Sequence, residues 1–159
     1  MVRVTPVQVH VRSVNHAHTT PLLDLTQALS AQGPVLRVLQ QRFPNALAFY
    51  VFGSQASGQA DAQSDVDLAI LLPGYANANA LWDTAMELAA LLNRHVDLLD
   101  LRAASTVMQH QVLTTGQRLW GDALAAGLFE CFPLTEKLHL DEARAGLLRD
   151  IAERGRVYG

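Results

Sequence analysis

The 159-residue chain is half hydrophobic, 17% charged and formally −3 at neutral pH, the balance of one packed domain and not of a disordered chain. It has no Lys/Arg run to grip an extended phosphate backbone, which disfavours a long nucleic-acid substrate and leaves a small phosphorylated one open. Cys131 is the sole cysteine, so an internal disulfide and a cysteine-rich zinc site are both excluded. The opening MVRVTPVQVHVRSV lacks the apolar core of a signal peptide, and no stretch has the apolar length of a membrane span. A soluble, cytoplasmic protein with no membrane partner is therefore expected.

Along the chain, residues 1–19 alternate weakly at Val7, Val9 and Val11 and then turn polar, which predicts a peripheral strand or, preferably, a loose leader. Thr20-Pro21 reads as a helix cap opening PLLDLTQALSAQ, and Gly33-Pro34 closes that helix and starts VLRVLQQRF. After the Pro44-Asn45 turn, ALAFYVF has the aromatic and apolar content of a strand ending at Gly53, and DVDLAILL is a second strand ending at Pro73-Gly74. Asn79 is expected to cap ALWDTAMELAALLN, whose Leu81, Leu88, Leu91 and Leu92 recur near helical spacing. HVDLLDL is a third strand, Ser105 caps TVMQHQVLTT, and GQRLWG is a short extended piece. Asp122 then caps DALAAGLFECF, which Pro133 is expected to stop, and a last helix runs from about Thr135 to Arg154. The pattern is α+β. It predicts a single domain over 20–159, with its core at 46–121 and C-terminal helices at 122–154.

The chemistry concentrates in GSQASGQADAQSDVDLAI, residues 53–70. Gly53 ends a strand and lets the backbone approach a ligand, while Ser54 offers a hydroxyl and opens a helical turn whose free N–H groups attract phosphate. Ten residues later, Asp65-Val66-Asp67 puts two carboxylates on one strand face and directs the valine into the core. Like charges so close repel, and divalent cations with a preference for oxygen, such as magnesium, keep both ionised. The intervening residues, with Gly58 in a turn, return the chain beside its starting strand, so that nucleotide phosphates would lie between Ser54 and the aspartates. A two-metal phosphoryl or nucleotidyl transfer needs a further carboxylate to position a metal or accept a proton. Asp97 is the candidate, because a mid-strand charge among Val96, Leu98 and Leu99 is costly without such a use. Asp100, three residues on, faces the other way and is expected as a strand-end cap.

Gly53-Ser54, Asp65, Asp67 and Asp97 in these contexts resemble the signature of the DNA polymerase β-like nucleotidyltransferase superfamily, and most nearly its minimal nucleotidyltransferases. The resemblance implies a small mixed sheet flanked by helices. It also implies two magnesium ions on Asp65, Asp67 and Asp97, and ATP triphosphate on Gly53-Ser54. Minimal members often carry arginine just before the glycine equivalent to Gly58, where this chain has Ser57. Arg94, Arg102 or Arg118 then has to compensate, or activity is weaker.

Three functions follow from the resemblance. The first is an antitoxin protein adenylyltransferase that moves AMP from ATP to a tyrosine of a cognate HEPN ribonuclease toxin, in a hetero-oligomer with it. The second is a small-molecule, antibiotic-type nucleotidyltransferase, although relatives of that kind generally have a larger helical substrate domain than the stretch after Asp97 provides. The third is an antitoxin that acts by binding alone, for which nothing would require three carboxylates together. Elsewhere, His16 and His18 are read as incidental and His95 as a neutral structural histidine sharing a face with Asp97. Trp82, Trp120 and Phe129 are read as core or interface packing. The last helix, with Leu138, Leu147, Leu148 and Ile151, is read as docked on the body.

Overall fold

A computed structural model describes residues 8–12, 24–61 and 63–154. Thr20-Pro21 and the His16/His18 pair lie outside the described residues. The elements in chain order are β1 (Gln8–Val11), α1 (Leu25–Ala28), α2 (Pro34–Arg42), β2 (Ala48–Phe52), α3 (Ser54–Ser57), β3 (Val66–Leu71), α4 (Ala78–Leu92), β4 (Val96–Asp100), α5 (Thr106–Thr115), β5 (Gln117–Gly121) and α6 (Ala123–Arg154).

The strands form one mixed sheet in the order β1-β4-β3-β2-β5. β3 and β4 run parallel, joined through α4, and the other pairings are antiparallel. β2, β3 and β4 are apolar on both faces because helices cover both faces. Val51, Val66, Leu68, Ile70, Val96 and Leu98 pack with α2 and α4 on one side. Tyr50, Phe52, Ala69, Leu71, Leu99 and Leu101 pack with α5 and the first turns of α6 on the other. At about 25 cal/mol per Å² of apolar surface removed from water, this two-sided burial is the main force holding the sheet.

Local chemistry sets the ends of the elements. Pro34 opens α2 behind Gly33, and Ser105 Oγ accepts from Met108 N at the start of α5, both as expected. α4 begins two residues earlier than expected. Asn77, not Asn79, is its cap, its side chain accepting from the N–H groups of Asn79 and Ala80 at 2.9 and 3.2 Å. Asp100 is fully buried and accepts from Ala76 N (2.8 Å) and Arg102 N (3.0 Å), the strand-end role expected of it.

Two differences from the sequence reading matter. The first concerns residues 8–11, which take the strand and not the loose-leader alternative: β1 pairs antiparallel with β4, and Val9 and Val11 are buried against the core. The second concerns Pro133, which does not stop a helix. One helix runs from Ala123 to Arg154 with Pro133 inside it. Pro133 lacks the N–H for a bond to the carbonyl four residues back, a local cost of roughly 3 kcal/mol. Its ring is buried, and the contact of α6 with α5 and the sheet offsets that cost. Beyond Pro133 the helix outruns the sheet. Leu138, Leu147 and Leu148 are consequently more than half exposed, so this part of the helix is not docked as its apolar residues suggested, and the side chain of Ile151 lies outside the described set. No described helix is long and apolar enough to cross a membrane.

Candidate active site

The turn that leaves β2 is built around two glycines in the left-handed region. Gly53 has φ +66° and Gly58, closing the single turn α3, has φ +72°. At Gly53 the need for glycine is double, since a β-carbon there would overlap the carboxylate of Asp67 as well as straining the backbone. Ser54 follows as the first residue of α3. Ser57 is exposed, and its hydroxyl donates to the Ser54 carbonyl at 3.2 Å.

A short hydrogen-bonded loop then delivers Asp65. Asp61 Oδ1 accepts from Gln63 N (2.8 Å) and Ser64 Oγ (2.9 Å), and these bonds hold the Asp61 carboxyl below its ordinary range. Arg94, just past the left-handed C-cap Asn93 of α4, donates to the carbonyls of Asp61 (3.0 Å) and Ser64 (3.2 Å). The sequence offered Arg94 as one of three alternatives to compensate for the missing cation, whereas the structure uses it to brace this loop. The other two candidates are likewise engaged within the fold: Arg102 donates to Leu72 O at 3.0 Å and stacks over Phe129, and Arg118 lies 3.4 Å from Glu130.

The three predicted carboxylates come together. Asp67 is directly opposite Phe52 at the end of β2 and beside Asp97 in the parallel β3/β4 ladder. Period-2 alternation gives Asp65 and Asp67 one face, and Asp97 the same face of the adjacent strand. Val66 between them is fully buried, as expected. Asp67 is the charge most out of place. Burial first, then the neighbouring Asp97 and Asp65 carboxylates, push it up to about 6 from an ordinary 3.8, with His10 acting in the opposite sense.

His10 is the residue that sequence reasoning missed. Its Nδ1 contacts Asp97 Oδ1, and Gln8 Nε2 donates to Asp97 Oδ2 at 3.3 Å. The register that pairs His10 with Asp97 across β1 and β4 makes this possible. The available signal was the alternation of Val9 and Val11, which obliges the residue between them to face away from their core. His95 Nδ1 lies 3.4 Å from Asp65 Oδ1. Trp120 stacks on Phe49 with ring centroids 5.5 Å apart and Phe129 packs against the second core, but Trp82 is half exposed.

A mixed sheet of this order, with a Gly-Ser turn set against three carboxylates at the ends of adjacent strands, defines a nucleotidyltransferase. The family model described as "Polymerase beta, Nucleotidyltransferase" matches residues 35–123, and the chain belongs to that family. It is 34% identical over 120 residues to the protein adenylyltransferase MntA of Shewanella oneidensis, covering 76% of this chain and 86% of that one. Among solved structures, a chain of a toxin–antitoxin complex with AMP-PNP superposes with TM-score 0.65 at 35% identity, covering 74% of this chain and 95% of its own. A chain of the complex between the tri-AMPylated Shewanella oneidensis HEPN toxin and its MNT antitoxin superposes with TM-score 0.60 at 33% identity, covering 74% and 92%.

Proposed function

We propose that this chain is the antitoxin of a toxin–antitoxin pair, and that it silences a HEPN-type ribonuclease by moving AMP from ATP onto a tyrosine hydroxyl of that partner. The observation that carries the reading is the convergence of Gly53-Ser54 with Asp65, Asp67 and Asp97, a constellation that binding alone would not need. Relatives that bear this fold include a protein adenylyltransferase and chains of toxin–antitoxin complexes.

The donor set fits magnesium. All three groups offer oxygen, and burial, followed by the neighbouring Asp97 and Asp65 carboxylates, lifts Asp67 to about 6, so that a hard divalent cation at this position would favour its charged form. In this reading Asp65, Asp67 and Asp97 would hold the magnesium. Bound there, magnesium supplies charge stabilisation at the α-phosphate and at the departing pyrophosphate. The chain's own residues do the rest. The Gly53 backbone and the Ser54 hydroxyl hold the outer phosphates. Asp97, braced by His10 and Gln8, orients the incoming tyrosine hydroxyl and takes its proton. The tyrosine oxygen then bonds to the α-phosphorus as the bond to the pyrophosphate oxygen breaks.

A protein acceptor suits an open site. Asp65 and His95 are each exposed over about two-fifths of their side chains, so a partner's surface supplies the missing wall and the two proteins work as a hetero-oligomer. The single cysteine suits the reducing cytoplasm. AMP added near a ribonuclease site introduces bulk and negative charge where RNA phosphates must bind. Intact-mass spectrometry of the partner after incubation with this protein, magnesium and ATP tests the reading. The expected result is a gain of AMP-sized mass that Asp97→Ala eliminates. A partner that is inhibited without mass gain, equally well by Asp97→Ala, would leave only the binding-only antitoxin.

A further inference from the structure

At the rim of the carboxylate cluster, His10, Asp65 and His95 each present one ligand atom, and these atoms lie within 4.8 Å of one another. They reach this point from three strands. The parallel β3/β4 ladder pairs Val66 with Val96, and Val66 N donates to His95 O at 2.9 Å. The residues just before these strands, Asp65 and His95, are thereby held side by side. β1 brings His10 in from the sheet edge, its ring edge-on to that of His95 with centroids 6.1 Å apart.

The chemistry of this trio differs from that of the magnesium carboxylates. Two imidazole nitrogens and one carboxylate oxygen, with a further position open, are the donor set of zinc and its neighbours, whereas magnesium takes oxygen ligands. His10 also has a carboxylate partner, its Nδ1 engaging Asp97, a pairing common among metal-binding histidines. Metal–ligand distances of about 2.0–2.2 Å require the three atoms to close by roughly an ångström. The half-exposed side chains of His10, Asp65 and His95 have the freedom to do so.

We propose that His10, Asp65 and His95 form a binding site for a zinc-class transition-metal ion, distinct in donor chemistry from the magnesium carboxylates and sharing Asp65 with them. His10 lies outside residues 35–123, the part of the chain that the family model matches, on β1 at the edge of the sheet. An ion held here pins β1 to the starts of β3 and β4 and draws an oxygen of Asp65 away from magnesium. Zinc therefore slows AMP transfer. That consequence rests on the transfer reading above, whereas the binding itself does not.

The test uses the full-length, metal-free protein without ATP or partner, with Co²⁺ as the probe, its visible absorption as the readout and Zn²⁺ as the displacing ion. One equivalent of Co²⁺ per chain is expected, with a spectrum that survives excess Mg²⁺ and is abolished by stoichiometric Zn²⁺. His95→Ala and His10→Gln are each expected to weaken binding by about tenfold or more. The double variant His16→Ala/His18→Ala, which removes the other closely spaced histidines, is expected to bind as the wild type does. Thermal melts without metal establish that each variant is folded. Undiminished Co²⁺ affinity in folded His95→Ala, loss of binding in the His16/His18 variant, displacement by Mg²⁺, or no spectral change in the wild type would each overturn the proposal.

Discussion

In metal-free buffer, Asp67→Asn is expected to stabilise the protein near neutral pH, even though it removes a residue we assign to catalysis. The folded state raises the Asp67 carboxyl from 3.8 to about 6, through burial and through Asp97 and Asp65. Because the folded-state value lies above the unfolded one, the folded chain binds this proton more tightly. The stability this contributes is fully present below pH ~4 and is lost as pH rises through ~6. At pH 7.5 the wild type therefore carries a buried charge, repelled by Asp97 and Asp65, that asparagine lacks. A shift of about two pH units corresponds to a ceiling of about 3 kcal/mol, and partial solvent exposure of the carboxyl screens this to about 1 kcal/mol. In a domain of this size that amounts to a rise in Tm of roughly 2–4 °C. Melting both proteins in chelator from pH 4.5 to 8 measures it. The gap is expected to open as pH rises through 6 and to narrow when magnesium is added, since only the wild type gains from the ion. An Asp67→Asn protein no more stable than the wild type at pH 7.5, or a gap that is the same at pH 5 and pH 8, would refute the reasoning.

Gly53→Ala is expected to lose about 1–3 kcal/mol in chemical denaturation, from its φ of +66°, and to lose AMP transfer as well, because the new methyl displaces Asp67. Arg94→Ala removes two bonds to the loop that delivers Asp65; a stability loss of about 1 kcal/mol with a larger fall in kcat than in ATP affinity is expected, read from denaturation and steady-state kinetics. Ser57→Arg restores a cation at an exposed position and is expected to lower the KM for ATP. Unchanged kinetics in that variant would mean that the side chain does not face the phosphates.

The catalytic constellation was legible because its chemistry is written in short-range rules. A glycine at a strand end, a fixed gap and two acids one residue apart each determine local geometry, and alternation alone aims Asp65 and Asp67 at the same point. The position of Asp97 in a central strand followed from the cost of an unpaired charge among Val96, Leu98 and Leu99. What faces Asp97 was not legible in the same way. β1 has four residues, too few for periodicity to separate a strand from a leader, and its register is set by burying Val9 and Val11 against a core that later elements build.

Helix α6 marks the opposite limit, where the local rule was sound and the surroundings outweighed it. Pro133 signals a stop, and in an isolated helix the missing hydrogen bond would favour one. Here Pro133 is buried, so the helix continues through a cost that tertiary contact offsets. Apolar periodicity then misleads in a second way, because it records which residues share a face and not whether anything lies opposite that face. Leu140 and Leu147 continue the stripe that Ala126 and Phe129 bury, yet the sheet has ended and both are more than half exposed. Where an element stops touching the body depends on the size of the sheet, a property of all five strands together that no window of sequence contains.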